Sequence, residues 1–130
     1  MISATLDAGA LIAIERRKPR GVMLLRAARE YRVRLFVTTP TIAEWWRGRT
    51  DVRDRILDAL VVVPFPTVAS KAAGDALGHV RDGRERAQLA VDAMVMAFAA
   101  TVGGGLVYTS DVDDLARLTR HFPEVRVLGV

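Results

Sequence analysis

The sequence predicts an α/β fold in which a mostly parallel sheet of about five short strands is flanked by helices. Short runs of β-branched and aromatic residues alternate along the chain with stretches of helical periodicity. Strands that alternate with helices are typical of a parallel sheet joined by right-handed crossovers. No repeat, low-complexity tract or linker interrupts the 130 residues, so we expect one domain spanning residues 1–130.

The elements follow from local patterns. Residues that favour pleated, buried structure predict strands over 2–6, 33–38, 61–65, 106–109 and 125–128. Helical periodicity fills the gaps, and Pro19 forces a break inside the first of them. The predicted helices cover residues 8–18, 21–32, 40–48, 51–60, 67–81, 86–102 and 111–122.

The composition limits the possible chemistry and location. Cysteine is absent, which excludes disulfides and thiolate metal sites and makes hard, oxygen-bound cations the default. The uncharged stretch 93–110 is interrupted by three glycines from Gly103, so we predict a buried helix, a loop and a strand rather than a membrane span. With no visible secretory signal, we expect a cytoplasmic protein.

The chain is basic, with a formal net charge of +4 and a pI of about 10.3. Such a surface attracts phosphate backbones and acidic partners. Arginine outnumbers lysine strongly, and a GC-rich coding sequence would produce the same bias. Charge alone therefore identifies no function.

Two aspartates are predicted at the carboxyl ends of strands. Asp7 follows the first predicted strand and Asp111 follows the fourth. Ligands in α/β sheets bind at this edge, near a switch in strand order. Each aspartate also precedes a helix, so helix capping is the better explanation of either residue when it is considered alone.

Two further acids lie on predicted helices. Glu44 is one turn into the helix that Pro40 opens, where it could complement the helix dipole or pair with Arg47. Asp92 is followed by an apolar run, and a buried carboxylate there needs a cation, a partner or a raised pKa. Alternatively, the helix begins at Asp92 and this residue is its N-cap.

The functional interpretation is stronger for the four acids together than for each alone, because separate elements would direct their carboxylates to one edge of the sheet. Clustered carboxylates repel one another unless a cation neutralises them. All-oxygen sites suit Mg²⁺ or Mn²⁺, and such ions support phosphodiester hydrolysis.

Four segments in order resemble the motifs of the PIN-domain ribonuclease family, especially its VapC-type toxins. The resemblance spans nearly the whole chain and implies a PIN-like three-layer sandwich. It also implies that Asp7, Glu44 and Asp92 are metal ligands, with Asp111 at a further acidic position. The segments are 5–13 (TLDAGALIA), 43–48 (AEWWRG), 92–95 (DAMV) and 108–115 (YTSDVDDL).

The resemblance also assigns supporting roles. Asp114 resembles a further acid that binds the metal through water, and Thr109 resembles a hydroxyl residue beside the site. Many relatives carry a hydroxyl residue directly after the first aspartate, whereas this chain has Ala8 and Gly9. Support for Asp7 must therefore come from backbone amides or from Thr109.

The implied function is a Mg²⁺-dependent endoribonuclease, with Mn²⁺ as a substitute, that cuts structured cellular RNA such as tRNA or rRNA. The resemblance further implies inhibition of translation, neutralisation by a cognate antitoxin and a homodimer. Arg47 and Arg49 are candidates for contacting the RNA backbone. Partner contacts are expected on the N-terminal helices, at Leu11, Ile12, Ile42 and one exposed tryptophan of Trp45 and Trp46.

Three alternatives remain at this stage. The first is a housekeeping RNA-processing nuclease with the same fold. The second is a phospho-aspartate switch or phosphatase built on Asp7, although no second acid lies two residues later and no lysine follows Lys71. The third is a catalytically inactive binding module.

Overall fold

A computed structural model describes residues 2–130 and shows five parallel strands in the order β3-β2-β1-β4-β5. The predicted α/β class with a central parallel sheet is confirmed. Each predicted strand is present, with ends that differ by one or two residues. The strands are β1 (Ser3–Leu6), β2 (Arg34–Thr38), β3 (Val61–Val63), β4 (Leu106–Thr109) and β5 (Arg126–Gly129).

Seven α-helices are found within residues 2–130. The predicted helix over 111–122 is wrong in length: it is a short helix followed by a 3-10 turn, Thr119–His121. The Thr119 hydroxyl donates to the Ala116 carbonyl at 2.9 Å and competes with the backbone for that acceptor. The helices are α1 (Ala8–Glu15), α2 (Pro19–Glu30), α3 (Thr39–Trp45), α4 (Asp51–Asp58), α5 (Thr67–Leu77), α6 (Gly83–Thr101) and α7 (Val112–Ala116).

Two hydrophobic clusters cover the two faces of the sheet. Successive side chains of a strand point to opposite faces, so Leu35 and Val37 join the cluster beneath α1, α2 and α4, whereas Phe36 joins the other. Phe36 there packs edge-on against Phe98 of α6 at 5.7 Å between ring centroids. The result is a three-layer arrangement of helices, sheet and helices.

The strand order reverses beside β1. From β1 the chain adds β2 and β3 on one side, and α6 then returns it to place β4 on the other. The carboxyl ends of β1 and β4 are neighbours, since Leu6 pairs with Tyr108 and the Asp7 amide donates to the Tyr108 carbonyl at 3.3 Å. Crevices at such a switch point are the usual ligand sites of parallel sheets.

The apolar stretch after Asp92 forms the predicted buried helix, loop and strand. Met96, Phe98 and Val107 are fully buried, and Gly104 and Gly105 adopt positive φ angles of 90° and 86° in the loop. Over residues 2–130, no helix combines the length and hydropathy that a membrane crossing requires.

Helices α1 and α2 approach each other at Gly21, and we predict that Gly21→Ala destabilises the protein. A Cβ there would lie 2.9 Å from the backbone carbon and oxygen of Ala13, which cannot move without shifting α1. Overpacking of this kind costs about 1–3 kcal/mol. Gly74→Ala in α5 is the matched control, because nothing lies within 4 Å of the added Cβ. Urea unfolding should show this control stabilised by about 0.5–1 kcal/mol. Equal effects of both changes would contradict the close approach.

Candidate active site

Asp7 lies at the end of β1 and caps α1. Its Oδ1 accepts a hydrogen bond from the Ala10 amide at 2.8 Å, and the residue is only 8% exposed. Burial raises the pKa of Asp7, while the Thr109 hydroxyl and the amides of Ala10 and Gly9 act in the opposite direction. The support that we predicted for Asp7, from backbone amides and Thr109, is therefore present.

Asp111 lies at the end of β4 and caps α7. Its Oδ1 accepts from the Asp114 amide at 3.2 Å, and its own amide donates to the Thr109 hydroxyl at 3.1 Å. Thr109 is buried, whereas Asp111 and Asp114 are exposed. The charge of Asp111 also contributes to the raised pKa of Asp7. One buried hydroxyl thus serves both strand-end aspartates.

Asp92 lies in the middle of α6 and is half-buried. The hypothesis that it caps this helix is wrong, because the helix begins earlier and Asp82 accepts from the amides of Arg84 and Glu85. Burial raises the pKa of Asp92 to about 6, and repulsion from four other carboxylates adds to the effect. These four belong to Asp7, Glu44, Asp114 and Asp111.

Glu44 lies on α3, one residue before that helix ends at Trp45. The residue as a whole is exposed, yet partial burial of its carboxyl group raises its pKa, and the charge of Asp7 raises it further. Arg47 opposes this shift.

Arg47 and Arg49 lie in the turn after α3 rather than on it. Arg47 was expected to share a helical face with Glu44, but the helix ends two residues earlier, at Trp45. Its guanidinium instead donates to the Trp46 carbonyl at 2.6 Å while still acting on the Glu44 charge. Arg49 forms an exposed ion pair with Asp54 at 2.6 Å. Both arginines remain on the surface beside Glu44.

The donor set fits a hard cation. Asp92 and the four acids that influence it offer carboxylate oxygens, which Mg²⁺ and Mn²⁺ prefer. As they stand, no three acidic or histidine side chains within residues 2–130 are arranged so that they could already hold an ion. The acids therefore act on one another by charge repulsion, which raises the pKa of Asp92, and are not arranged as a closed coordination shell within residues 2–130.

Two contacts were not predicted from the sequence: that of Ser110 with Gly9 and that of His79 with His121. The Ser110 hydroxyl packs against Gly9, so closely that a Cβ at that glycine would clash with it, and the same Cβ would lie 3.4 Å from Asp7 Oδ1. A side chain at position 9 would therefore require the Ser110 hydroxyl to move. His79 and His121, distant in sequence, pack their rings 5.1 Å apart. No local pattern could have predicted either contact.

A family model described as the PIN domain matches residues 4–120. The chain belongs to the PIN-domain family. The predicted PIN-like sandwich is confirmed by this match together with the five parallel strands. PIN domains are nucleases.

Two solved structures share this PIN fold. VapBC2 from Rickettsia felis, bound to a DNA fragment from its promoter, superposes with a TM-score of 0.70 at 12% identity over 99% of both chains. DNA-bound VapBC from Salmonella typhimurium gives 0.65 at 18% identity over 99% of this chain and 98% of the other. At such identities the likeness establishes the fold. No curated protein matches the sequence.

The raised pKa of Asp92 predicts how metal-free stability depends on pH. The folded protein holds this proton more tightly than the unfolded chain does. The contribution of Asp92 to the free energy of unfolding is therefore most favourable below about pH 4 and is lost as pH rises through about 6. Asp92→Asn should therefore stabilise the protein in EDTA by roughly 1 kcal/mol near neutral pH, after allowance for solvent screening. The gain should vanish toward pH 4. Urea unfolding at several pH values measures it, and a pH-independent effect would contradict this electrostatic origin.

Proposed function

We propose that this PIN domain is a Mg²⁺-dependent endoribonuclease, the toxin of a VapC-type toxin–antitoxin pair. The observation that carries the proposal is the convergence of four other carboxylates on Asp92 at the switch point of the sheet. Membership of a nuclease family and the likeness to VapBC structures support it.

We assign Asp7, Glu44, Asp92 and Asp111 to direct metal binding and catalysis, and Asp114 to a contact through water. When bound, the ion would activate a water molecule and stabilise the leaving oxygen of the phosphodiester. Asp7 accepts from the Ala10 amide through Oδ1, and the Thr109 hydroxyl and the Gly9 amide also act on its carboxylate. Thr109 orients the Asp111 backbone, and Asp92 supplies the carboxylate that most needs a positive charge beside it.

The proposed substrate is structured cellular RNA such as tRNA or rRNA, cut to leave 5′-phosphate and 3′-hydroxyl ends. Arg47 and Arg49 follow Glu44 in the chain and are exposed, so phosphates of the substrate could reach them. The Arg49–Asp54 ion pair is largely exposed, and breaking such a pair costs little. The excess positive charge of the chain favours the same polyanion.

The proposed antitoxin would cover a cleft of about 540 Å³ on α1, α2 and α4. We expected Leu11 to contribute to the partner surface, but it is fully buried in the core. Apolar contacts come instead from Ile14, Leu25 and Ile56 at the cleft. Four arginines surround this floor: Arg17, Arg26, Arg29 and Arg55. An apolar segment with acidic flanks would complement it.

The two tryptophans differ in burial, as predicted. Trp45 is 4% exposed, whereas Trp46 is half-buried beside a small apolar hollow with Ile42 and Leu57. We assign Trp46 and this hollow to a protein interface, either with the antitoxin or within the proposed homodimer.

Housekeeping RNA processing would use the same site, so the presence of a neutralising partner separates it from the toxin. A phospho-aspartate switch is disfavoured, because the charges that act on Asp7 and Asp92 are those of other carboxylates, which repel a phosphoryl group. An inactive binding module would have no use for acids that raise one another's pKa.

We predict that Asp7→Asn, Glu44→Gln and Asp92→Asn each reduce RNA cleavage by about 100-fold or more, because each removes a charge that holds the cation. Cleavage should require Mg²⁺ or Mn²⁺ and stop in EDTA. Asp113→Asn is the matched control, since Asp113 is exposed and does not act on Asp92. Circular dichroism would verify folding. Undiminished cleavage after exhaustive chelation would exclude the metal mechanism.

A second prediction concerns neutralisation. A guanidinium is permanently charged and offers paired donors to carboxylates, so an antitoxin arginine placed against Asp7, Glu44, Asp92 or Asp111 should inhibit cleavage. Alanine at that arginine should restore nuclease activity more than it weakens the complex, because the cleft on α1, α2 and α4 still binds the partner. Calorimetry and a cleavage assay on the same complex measure both quantities. Full inhibition at unchanged affinity would show that coverage alone inhibits.

A further inference from the structure

We infer that Glu15 is a positioning residue for Glu44, acting through Trp45 and Arg53. This inference rests on the proposed metal-dependent nuclease and names a role outside its acidic cluster. Glu15 is the last residue of α1, at the border of the cleft and mostly shielded from solvent. One carboxylate oxygen contacts Trp45 on α3, the helix that carries Glu44, and the other contacts Arg53 on α4.

The first contact holds α3. The Trp45 indole Nε1 donates to Glu15 Oε1 at 2.9 Å, and Trp45 is almost fully buried. Trp45 follows Glu44 directly in sequence and is the final residue of α3. Its hydrogen bond therefore fixes the backbone that carries the Glu44 carboxylate.

The second contact holds the turn after α3. Arg53 Nε lies 3.0 Å from Glu15 Oε2, and Arg53 Nη1 donates to the carbonyls of Gly48 at 2.9 Å and Arg47 at 3.3 Å. The Nε atom is buried and makes no well-oriented hydrogen bond, so its contact with Glu15 is an ion pair. One guanidinium thus links α4 to the turn that carries Arg47.

Helix α3 needs these external contacts. It has seven residues, too few for a helix to be stable on its own, and its N-cap residue Thr38 makes no side-chain capping hydrogen bond. The contacts that hold the two ends of α3 therefore orient the Glu44 carboxylate. On the carboxyl side, Glu15 contacts Trp45 directly and the following turn through Arg53.

Loss of the Glu15 charge would leave the Arg53 guanidinium mostly buried without a counter-ion, a costly arrangement that favours its movement toward solvent. The carbonyls of Arg47 and Gly48 would lose their donor, and the segment after Glu44 would loosen. Residues that orient metal ligands typically alter metal affinity or activity about 10–100-fold when changed. Loss of the Glu15 charge should therefore weaken metal binding more than it weakens RNA binding.

The test uses Glu15→Gln, which keeps size and can still accept from Trp45, and Trp45→Phe, which removes that hydrogen bond together with part of a buried ring. Asp54→Asn is the matched control, because it breaks the exposed Arg49–Asp54 pair on the same helix, α4. Three readouts are needed: Mn²⁺ binding without RNA, the Mg²⁺ dependence of cleavage, and kcat and KM for RNA at saturating Mg²⁺. The Trp45 indole proton resonance and thermal unfolding report local geometry and stability.

Glu15→Gln should weaken Mn²⁺ binding and raise the Mg²⁺ concentration for half-maximal cleavage by about 10-fold. At saturating Mg²⁺, KM for RNA should change by less than the Mg²⁺ dependence does, because RNA binding would be affected only through Arg47. Trp45→Phe should act in the same direction, and Asp54→Asn should leave both metal readouts unchanged.

Lower thermal stability with unaltered metal affinity in both variants would overturn the positioning role and leave Glu15 a purely structural residue. A wild-type protein that neither binds Mn²⁺ nor cleaves RNA would instead overturn the proposed function itself, and the positioning role with it. The two failures are distinguished by the wild-type measurements alone.

Discussion

Repulsion among carboxylates at one edge of the sheet is the constraint that organises this molecule. Parallel strands end side by side, so the topology brings Asp7 and Asp111 together, while α6 adds Asp92 from the opposite layer. Two apolar clusters, one on each face of the sheet, stabilise the elements that carry these charges. Burial of the two apolar clusters thus stabilises the fold, whereas repulsion among the carboxylates at the edge of the sheet opposes it.

Capping and metal binding are compatible roles for the strand-end aspartates. Asp7 and Asp111 each use Oδ1 to accept from a helix amide, which fixes the side chain and uses only part of the acceptor capacity of the carboxylate. Asp92 and Glu44 have no such cap, and their orientation comes from the body of α6 and from the contacts around α3. Two pairs of acids are therefore positioned by two different physical means.

Local patterns were sufficient for the elements and for the edge at which the acids lie, because strand alternation places Asp7 and Asp111 directly. They could not decide whether Asp92 begins α6 or lies within it, since only tertiary burial separates the two. The end of α3 at Trp45 also depends on distant partners. Glu15 and Arg53, 38 positions apart, meet only after α1, α3 and α4 have packed.

The pairing of β1 with β4 has a consequence for protein synthesis. Ser3–Leu6 is made early, but its neighbour Leu106–Thr109 leaves the ribosome about a hundred residues later. A nascent chain can gather α1 to α4 around β1, β2 and β3 while it still lacks Asp92 and Asp111. The complete acidic cluster therefore forms only after Asp111 has left the ribosome.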